Sequence, residues 1–178
     1  LNYWYEIFFI FIELKKQNWI NTKNNRKNNS DVWEYTKKSF NFMWPKTTIK
    51  KNFISSSKLA RLRLKQILKM MKINKSYFNN KKILDSGCGP GRYIMHMLKY
   101  KPLKIIGIDS GKSIIRQNKI RFKKFKNVEF ICGDLRRLPF KKNEFDFIIS
   151  AGVLHHVSPN IAKLIHDHSR ALKKGGNL

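Results

Sequence analysis

Acidic residues are scarce in this chain, because its 178 residues include 11 Asp and Glu against 38 Lys and Arg, a net charge of +27. The excess is spread along the chain, with 19 basic and 4 acidic residues over 1–82 and 19 and 7 over 83–178. Such a field attracts phosphate groups. However, 29 of the basic residues are Lys, in a chain also rich in Asn and Ile, as AT-rich coding sequences produce. Nucleic acid therefore remains open as a partner but is not favoured.

Cysteine is also rare, with Cys88 and Cys132 as the two examples. Neither has the spacing of a metal-binding or redox motif, so a disulfide framework is excluded and a reducing, cytoplasmic location is expected. The histidines at positions 155, 156, 166 and 168 lack a carboxylate or thiol at the usual ligand spacing, and we expect no metal site.

A long apolar run is missing. Residues 3–14 are apolar but short, and Glu6 and Glu13 interrupt them, whereas a bilayer-spanning helix needs about 20 apolar residues. A basic segment before the run and a small-residue cleavage site after it are also absent, which argues against a signal peptide. The run favours a buried or partner-binding helix, with peripheral membrane contact as the alternative.

Glycines are few as well, but three of them fall within residues 83–92, ILDSGCGPGR. An apolar run leads to Asp85, then to Gly87, Gly89 and Gly91, and helical apolar spacing follows. This pattern predicts a strand, a tight turn and a helix, the opening of a nucleotide-binding βαβ unit. The spacing is G-x-G-x-G rather than the dinucleotide G-x-G-x-x-G, and an acid at the strand tip repels phosphate. The loop therefore favours a ligand with an ammonium group and disfavours a nicotinamide dehydrogenase.

Strand and helix patterns alternate after this loop. Strands are predicted at 103–109, 128–134 and 145–151, and helices at 92–100, 112–125 and 160–173, with a fifth strand beginning after Gly175-Gly176. This order predicts an α/β fold with a doubly wound, mostly parallel sheet. Asp109 ends the second strand about 20 residues past the glycines, where an acid accepts hydrogen bonds from ribose hydroxyls. Because the chain starts without Met and stops in the fifth strand, we expect a fragment, truncated within that strand.

Taken together, residues 80–178 resemble the class I S-adenosylmethionine-dependent methyltransferases, and most of all their type 11, small-molecule branch. The resemblance implies a Rossmann-like fold and S-adenosylmethionine as the cofactor. It also implies that Asp134 contacts the adenine amino group and that Leu135 packs on the ring. The candidate cofactor-binding residues are Asp85, Gly87, Cys88, Gly89, Gly91, Asp109, Ser110, Asp134, Leu135 and Ser150.

Catalytic residues are less evident, because methyl transfer from a sulfonium mostly requires alignment of donor and acceptor. His155 and His156 follow the fourth strand and are candidates for a general base, with a structural role as the alternative. Ser150-Ala151-Gly152-Val153 stands where enzymes that methylate DNA amino groups carry Asn or Asp, two prolines and an aromatic residue. This difference argues against methylation of a flipped DNA base.

The chain is predicted to divide into two regions. Residues 1–56 form an N-terminal, aromatic and basic helical extension that either covers the cofactor as a lid or packs on the core. Residues 57–178 form the methyltransferase domain, opening with an amphipathic helix at 57–72 that is N-capped by Ser55–Ser57 and packs at the sheet edge. We expect methyl transfer to a small-molecule oxygen, nitrogen or carbon. The alternatives are an RNA methyltransferase and a non-catalytic, cofactor-binding fragment.

Overall fold

The computed structural model describes Lys38, residues 50–157 and residues 160–178. The first element of this part is a long helix, α1 (Lys50–Met70), which begins seven residues before the predicted start. The predicted division at residues 56 and 57 falls inside α1. Most of the predicted extension, including the aromatic residues offered as a lid, lies outside the described residues.

The chain then alternates between strands and helices. After α1 come β1 (Lys82–Ser86), α2 (Arg92–Met97), β2 (Lys104–Asp109), α3 (Lys112–Arg121) and β3 (Val128–Cys132). The second part contains β4 (Phe145–Ile149), α4 (Leu154–Val157), α5 (Ile161–Arg170) and β5 (Leu172–Asn177). Short 3₁₀ turns at Lys75–Phe78 and Leu98–Tyr100 precede β1 and β2.

The five strands form one parallel sheet in the order β3-β2-β1-β4-β5. β1 lies in the middle, paired with β2 on one side and β4 on the other. Its residues Ile83 and Leu84 are fully buried, as expected for a strand covered on both faces. The predicted α/β class and parallel sheet are confirmed, and the strand order reverses between β1 and β4, which is the point at which such sheets bind ligands.

Several predicted boundaries were wrong. The strands predicted to end at residues 134 and 151 end at Cys132 and Ile149, so the residues that follow belong to loops at the edge of the sheet. The helix predicted at 112–125 ends at Arg121, where Phe122 turns inward and is buried. The helix predicted to reach 173 ends at Arg170, and the fifth strand, predicted to begin after Gly175-Gly176, begins at Leu172 and includes both glycines. Leu172 lies in β5 and pairs with Phe145 of β4, so this apolar residue belongs to the sheet and not to the helix.

Helix α1 packs on α2, not at the sheet edge as predicted. Leu64 and Leu68 are buried in the core, whereas Leu59, predicted to extend the same face, is 46% exposed. Ser57 is not a cap, because it lies inside α1, where its Oγ is 2.9 Å from Nε2 of the buried His96 on α2. None of the helices in the described part of the chain has the length and apolar character that a bilayer crossing requires.

Candidate functional site

The predicted site residues gather at the carboxyl edge of the sheet. Asp85 is the penultimate residue of β1 and lies in register with Gly107 of β2 and Ile149 of β4. Asp109 is the last residue of β2, and Ser150 follows the end of β4. Parallel strands bring these positions together because their carboxyl ends share one edge.

Asp85 is the most unusual polar group at this edge. Its side chain is 1% exposed, and within the described part of the chain its Oδ2 atom has no hydrogen-bond partner. Burial, with a smaller contribution from the negative charge of Asp109, raises the pKa of Asp85 from 3.8 to about 7, although Arg92 acts in the opposite direction. A buried carboxyl oxygen without a partner is costly. The position therefore suits a ligand that brings a hydrogen-bond donor, and above all a positively charged one.

The backbone N–H groups of the glycine loop, residues 87–91, are bonded within the protein. Those of Gly87 and Cys88 donate to the Ile108 carbonyl at 2.8 and 3.0 Å, and that of Gly91 donates to the Cys88 carbonyl at 2.9 Å. The N–H of Gly89 donates to Oδ2 of Asp109 at 2.9 Å. Phosphate-binding loops work by pointing free N–H groups at the anion. In this loop these four N–H groups are already bonded to protein oxygens and do not point at a ligand. This arrangement agrees with the prediction against a diphosphate ligand.

Two of the glycines are required by both conformation and space. Gly87 has φ +79°, and a Cβ there would lie 2.5 Å from Cγ1 of Val153, in the segment after β4. Gly91 has φ +76°, and a Cβ would lie 2.8 Å from a ring carbon of Phe122. L-residues with side chains rarely adopt such φ values. The glycines thus let the turn after β1 fit closely between α3 and the loop after β4.

Asp109 connects the glycine loop with the turn that follows β2. Its Oδ1 accepts from the Gly111 N–H at 2.9 Å, while its Oδ2 accepts from Gly89. Burial raises the pKa of Asp109, and these backbone hydrogen bonds oppose the rise by stabilising the carboxylate. Each carboxylate oxygen can accept a second hydrogen bond, so the side chain retains capacity for ribose hydroxyls. Ser110, the next residue, is half-buried beside it.

Asp134 has a partner that the sequence analysis did not anticipate. The Arg136 side chain donates to both carboxylate oxygens, with Nε 3.0 Å from Oδ1 and Nη2 2.6 Å from Oδ2. The Arg136 backbone N–H also donates to Oδ1 at 2.9 Å. Leu135, between them, is 2% exposed. An adenine amino group at Asp134 would therefore have to share this carboxylate with Arg136.

A buried polar connection behind β1 was also missed. Ser86 and His168 are both fully buried, and the Ser86 Oγ lies 2.8 Å from Nε2 of His168. The other ring nitrogen, Nδ1, lies 2.6 Å from the Leu164 carbonyl, which can only accept. Nδ1 is therefore protonated and Nε2 accepts from the serine. On the other side, Ser150 Oγ donates to the Ser86 carbonyl at 3.0 Å, so the predicted site residue Ser150 ties the end of β4 to β1.

The remaining predicted residues fall in different environments. Cys88 is buried, and this burial with the charges of Asp85 and Asp109 holds the pKa of its thiol well above the usual range. His155 and His156 lie in α4 after β4, with the His156 N–H bonded to the Val153 carbonyl. Within the described ranges, no three His, Cys, Asp or Glu residues cluster in a way that could hold a metal ion.

Comparison with known proteins agrees with this arrangement. A family model described as a methyltransferase domain matches residues 83–176, more than half of the chain. Over 102 residues the chain is 33% identical to a tRNA U34 carboxymethyltransferase of Campylobacter curvus, covering 56% of this chain and 34% of that protein. Over 114 residues it is 28% identical to a demethylmenaquinone methyltransferase of Staphylococcus saprophyticus, covering 63% and 47%. The chain thus spans between a third and a half of the length of these relatives.

A similar fold is known from a crystal structure. A protein of Pyrococcus horikoshii superposes with a TM-score of 0.52 at 30% identity, covering 62% of this chain and 50% of that one. The matched family region begins at β1 and ends in β5, and so contains the glycine loop, the strand-end acids and both predicted histidines. The chain belongs to the class I S-adenosylmethionine-dependent methyltransferases.

Proposed function

We propose that this chain is the cofactor-binding part of an enzyme that transfers a methyl group from S-adenosylmethionine to a small-molecule oxygen, nitrogen or carbon. The observation that carries the proposal is the buried Oδ2 of Asp85, which lacks a partner beside a loop whose four N–H groups are already bonded. This combination accommodates an ammonium group and offers little to a diphosphate. Family membership and the demethylmenaquinone relative support the same reaction and acceptor class.

In this proposal, different residues bind different parts of the cofactor. Asp85, with the glycine loop around it, holds the amino-acid end, and Asp109 with Ser110 holds the ribose. Asp134 and Leu135 hold the adenine. Ser150 holds the end of β4 against β1 by its hydrogen bond to the Ser86 carbonyl, and so stabilises the edge of the sheet beside the proposed site.

The chemistry then requires little from the protein beyond alignment. When bound, S-adenosylmethionine supplies a methyl group on a sulfonium, which is an activated leaving group. The chain must hold the acceptor in line with that methyl and exclude water from the pair. His155 and His156 are the proposed bases where the acceptor has a proton to lose, because they follow β4 at the carboxyl edge. We also propose a cytoplasmic location, since Cys88 and Cys132 are free thiols.

The first test is calorimetric titration of the chain with S-adenosylmethionine, S-adenosylhomocysteine and NAD. We expect the first two to bind and NAD not to bind. Asp109→Ala should abolish or greatly weaken binding by removing the ribose acceptor and the partner of the Gly89 N–H. The Lys104→Ala variant is a matched control, because this residue precedes Asp109 in β2 and its salt bridge with Glu129 lies on the surface at the other end of the strand.

The outcomes separate the predicted functions. Binding of S-adenosylhomocysteine that Asp109→Ala loses and Lys104→Ala keeps supports the cofactor assignment. A folded chain that binds neither nucleoside would refute it, and NAD binding would support a dehydrogenase instead. Once binding is established, methyl transfer to quinone-type phenols and to tRNA should be compared, since an RNA methyltransferase predicts activity on the second substrate alone.

A further inference from the structure

Asn118 is a fully buried polar residue in the middle of α3, and nothing so far assigns it a role. Its Nδ2 donates to the Gly89 carbonyl of the glycine loop at 2.7 Å. Its Oδ1 accepts from Nη1 of Arg121, one turn further along α3, at 3.2 Å. The orientation of the amide is fixed by these neighbours, because a carbonyl can only accept and a guanidinium can only donate.

Arg121 makes a second contact with the same loop. Its Nη1 also donates to the Pro90 carbonyl at 2.9 Å. Two consecutive carbonyls of the turn, those of Gly89 and Pro90, are thus held by two side chains from a single helix. Both contacts reach the loop from α3.

Gly89 is held from both ends as a result. Its N–H is bonded to Asp109 on β2, and its C=O is bonded to Asn118 on α3. The proposed ribose-binding carboxylate and the glycine loop are therefore connected through one residue. If Asn118 released the carbonyl, Gly89 could rotate, and Asp109 would lose a fixed donor that helps to set the direction of its Oδ2.

We propose that Asn118, supported by Arg121, is a positioning residue that holds the glycine loop and Asp109 in the geometry that binds the cofactor. This inference rests on the proposed function, and it adds two residues of α3 to those that shape the cofactor site. Leucine has the same branched shape as asparagine, although it is larger, and it could not hydrogen-bond to the Gly89 carbonyl. Loss of the Asn118 amide should therefore weaken ligand binding in addition to lowering stability, because the buried Gly89 carbonyl loses this donor.

The test compares Asn118→Leu with Ile115→Val, a conservative change at a buried position of the same helix that has no polar contact with the loop. The affinity for S-adenosylhomocysteine is measured by calorimetry, and the exchange rate of the Gly89 backbone amide is measured by NMR in the ligand-free protein. In Asn118→Leu we expect about tenfold weaker binding and faster exchange at Gly89, whereas Ile115→Val should retain both values.

The results distinguish the two proposals. Wild-type protein that does not bind S-adenosylhomocysteine refutes the proposed function and, with it, the ligand named here. Wild-type protein that binds, with equal affinity and equal Gly89 exchange in Asn118→Leu, refutes the role of Asn118 alone. Should Asn118→Leu not fold, Arg121→Met removes the contact with Pro90 from a half-buried position, and a weaker affinity with faster loop exchange is again required.

Discussion

Binding of the cofactor should release a proton from Asp85. The pKa of this buried carboxyl is raised to about 7, so near neutral pH a substantial fraction of the ligand-free protein carries the proton. A ligand ammonium group interacts favourably with the ionised carboxylate and not with the protonated acid. Binding therefore selects the ionised form, and the affinity should fall as the pH decreases below 7.

The size of the effect follows from this pKa. At pH 7 about half of the Asp85 side chains are ionised, and at pH 5.5 only about 3% are, which predicts a roughly 15-fold weaker affinity at the lower pH. The number of protons released at pH 6.5 should be about 0.8 per ligand bound. It can be measured by titrating S-adenosylhomocysteine in two buffers that differ in ionisation enthalpy, because the observed heats then differ in proportion to the protons exchanged.

The matched variant is Asp85→Asn, which keeps the shape of the side chain and cannot titrate. It should bind more weakly at pH 7 and lose most of the pH dependence. Asp109 also has a raised pKa, but it remains in this variant, so the comparison isolates Asp85. Equal heats in both buffers, together with an affinity that does not change between pH 5.5 and 7, would refute the reasoning.

The same carboxyl has an opposite consequence for the free protein. The pKa of Asp85 is higher in the folded protein than in the unfolded chain. The contribution of its protonated form to the free energy of unfolding is therefore fully present below pH 3.8 and is lost as the pH rises through about 7. The rise in pKa corresponds to as much as about 4 kcal/mol. In the absence of ligand, Asp85→Asn should therefore be more stable than wild type at pH 8, as urea denaturation would detect.

Three further changes test other parts of the site. Gly87→Ala should lose about 2–4 kcal/mol of folding free energy, because the new Cβ meets Val153 in a left-handed backbone conformation. Burial lowers the pKa of His168 in the folded protein. The neutral His168 therefore contributes stability above the unfolded-state pKa of about 6.5, and this contribution is lost as the pH falls through the folded-state pKa. The free energy of unfolding should accordingly decrease below about pH 6.5. Arg136→Gln should tighten S-adenosylhomocysteine binding by up to about fivefold, because it removes the half-buried ion pair through which Arg136 competes for the Asp134 carboxylate.

Each of these changes has its own control. Gly175→Ala has a similar φ of +77° with nothing within 4 Å of the new Cβ, so it should cost only about 1 kcal/mol, and an equal loss in both alanine variants would contradict the steric argument. In urea denaturation, the double variant Ser86→Ala with His168→Leu should no longer lose stability as the pH falls below 6.5. If the variant stays acid-sensitive, a group other than His168 is responsible. Unchanged or weaker binding by Arg136→Gln would mean that Arg136 does not compete with the adenine.

The sequence was sufficient to predict the positions of the first four strands, to within about two residues, and the acids Asp85 and Asp109 at two of their ends, because both signals are local. Buried apolar runs such as residues 103–109 have few alternatives to a parallel strand, and the residue after such a run must lie at the edge of the sheet. The ends of the helices were harder to predict. Leu172 fits a helical pattern as well as a strand, and only its pairing with Phe145 decides between them.

The polar contacts within the core could not be predicted from the sequence. Ser86 and His168 are separated by 82 positions, and Asn118 is 29 positions from Gly89. Hydrophobic periodicity places His168 four residues after the buried Leu164 in α5 and Asn118 four residues after the buried Ile114 in α3, so both lie on the inner face of their helices. It does not show which distant polar group each side chain contacts. Asp134 illustrates a different limit, because its role was taken from the resemblance while its local partner Arg136 was visible only in three dimensions.

The internally bonded glycine loop has a consequence for how the site is assembled. The N–H groups of Gly87, Cys88, Gly89 and Gly91 are all hydrogen-bonded within the protein, so the turn is ordered by its own contacts and need not lose the conformational entropy that a mobile loop would lose on binding. The ligand then meets a fixed surface, and its interaction energy is not reduced by ordering the loop.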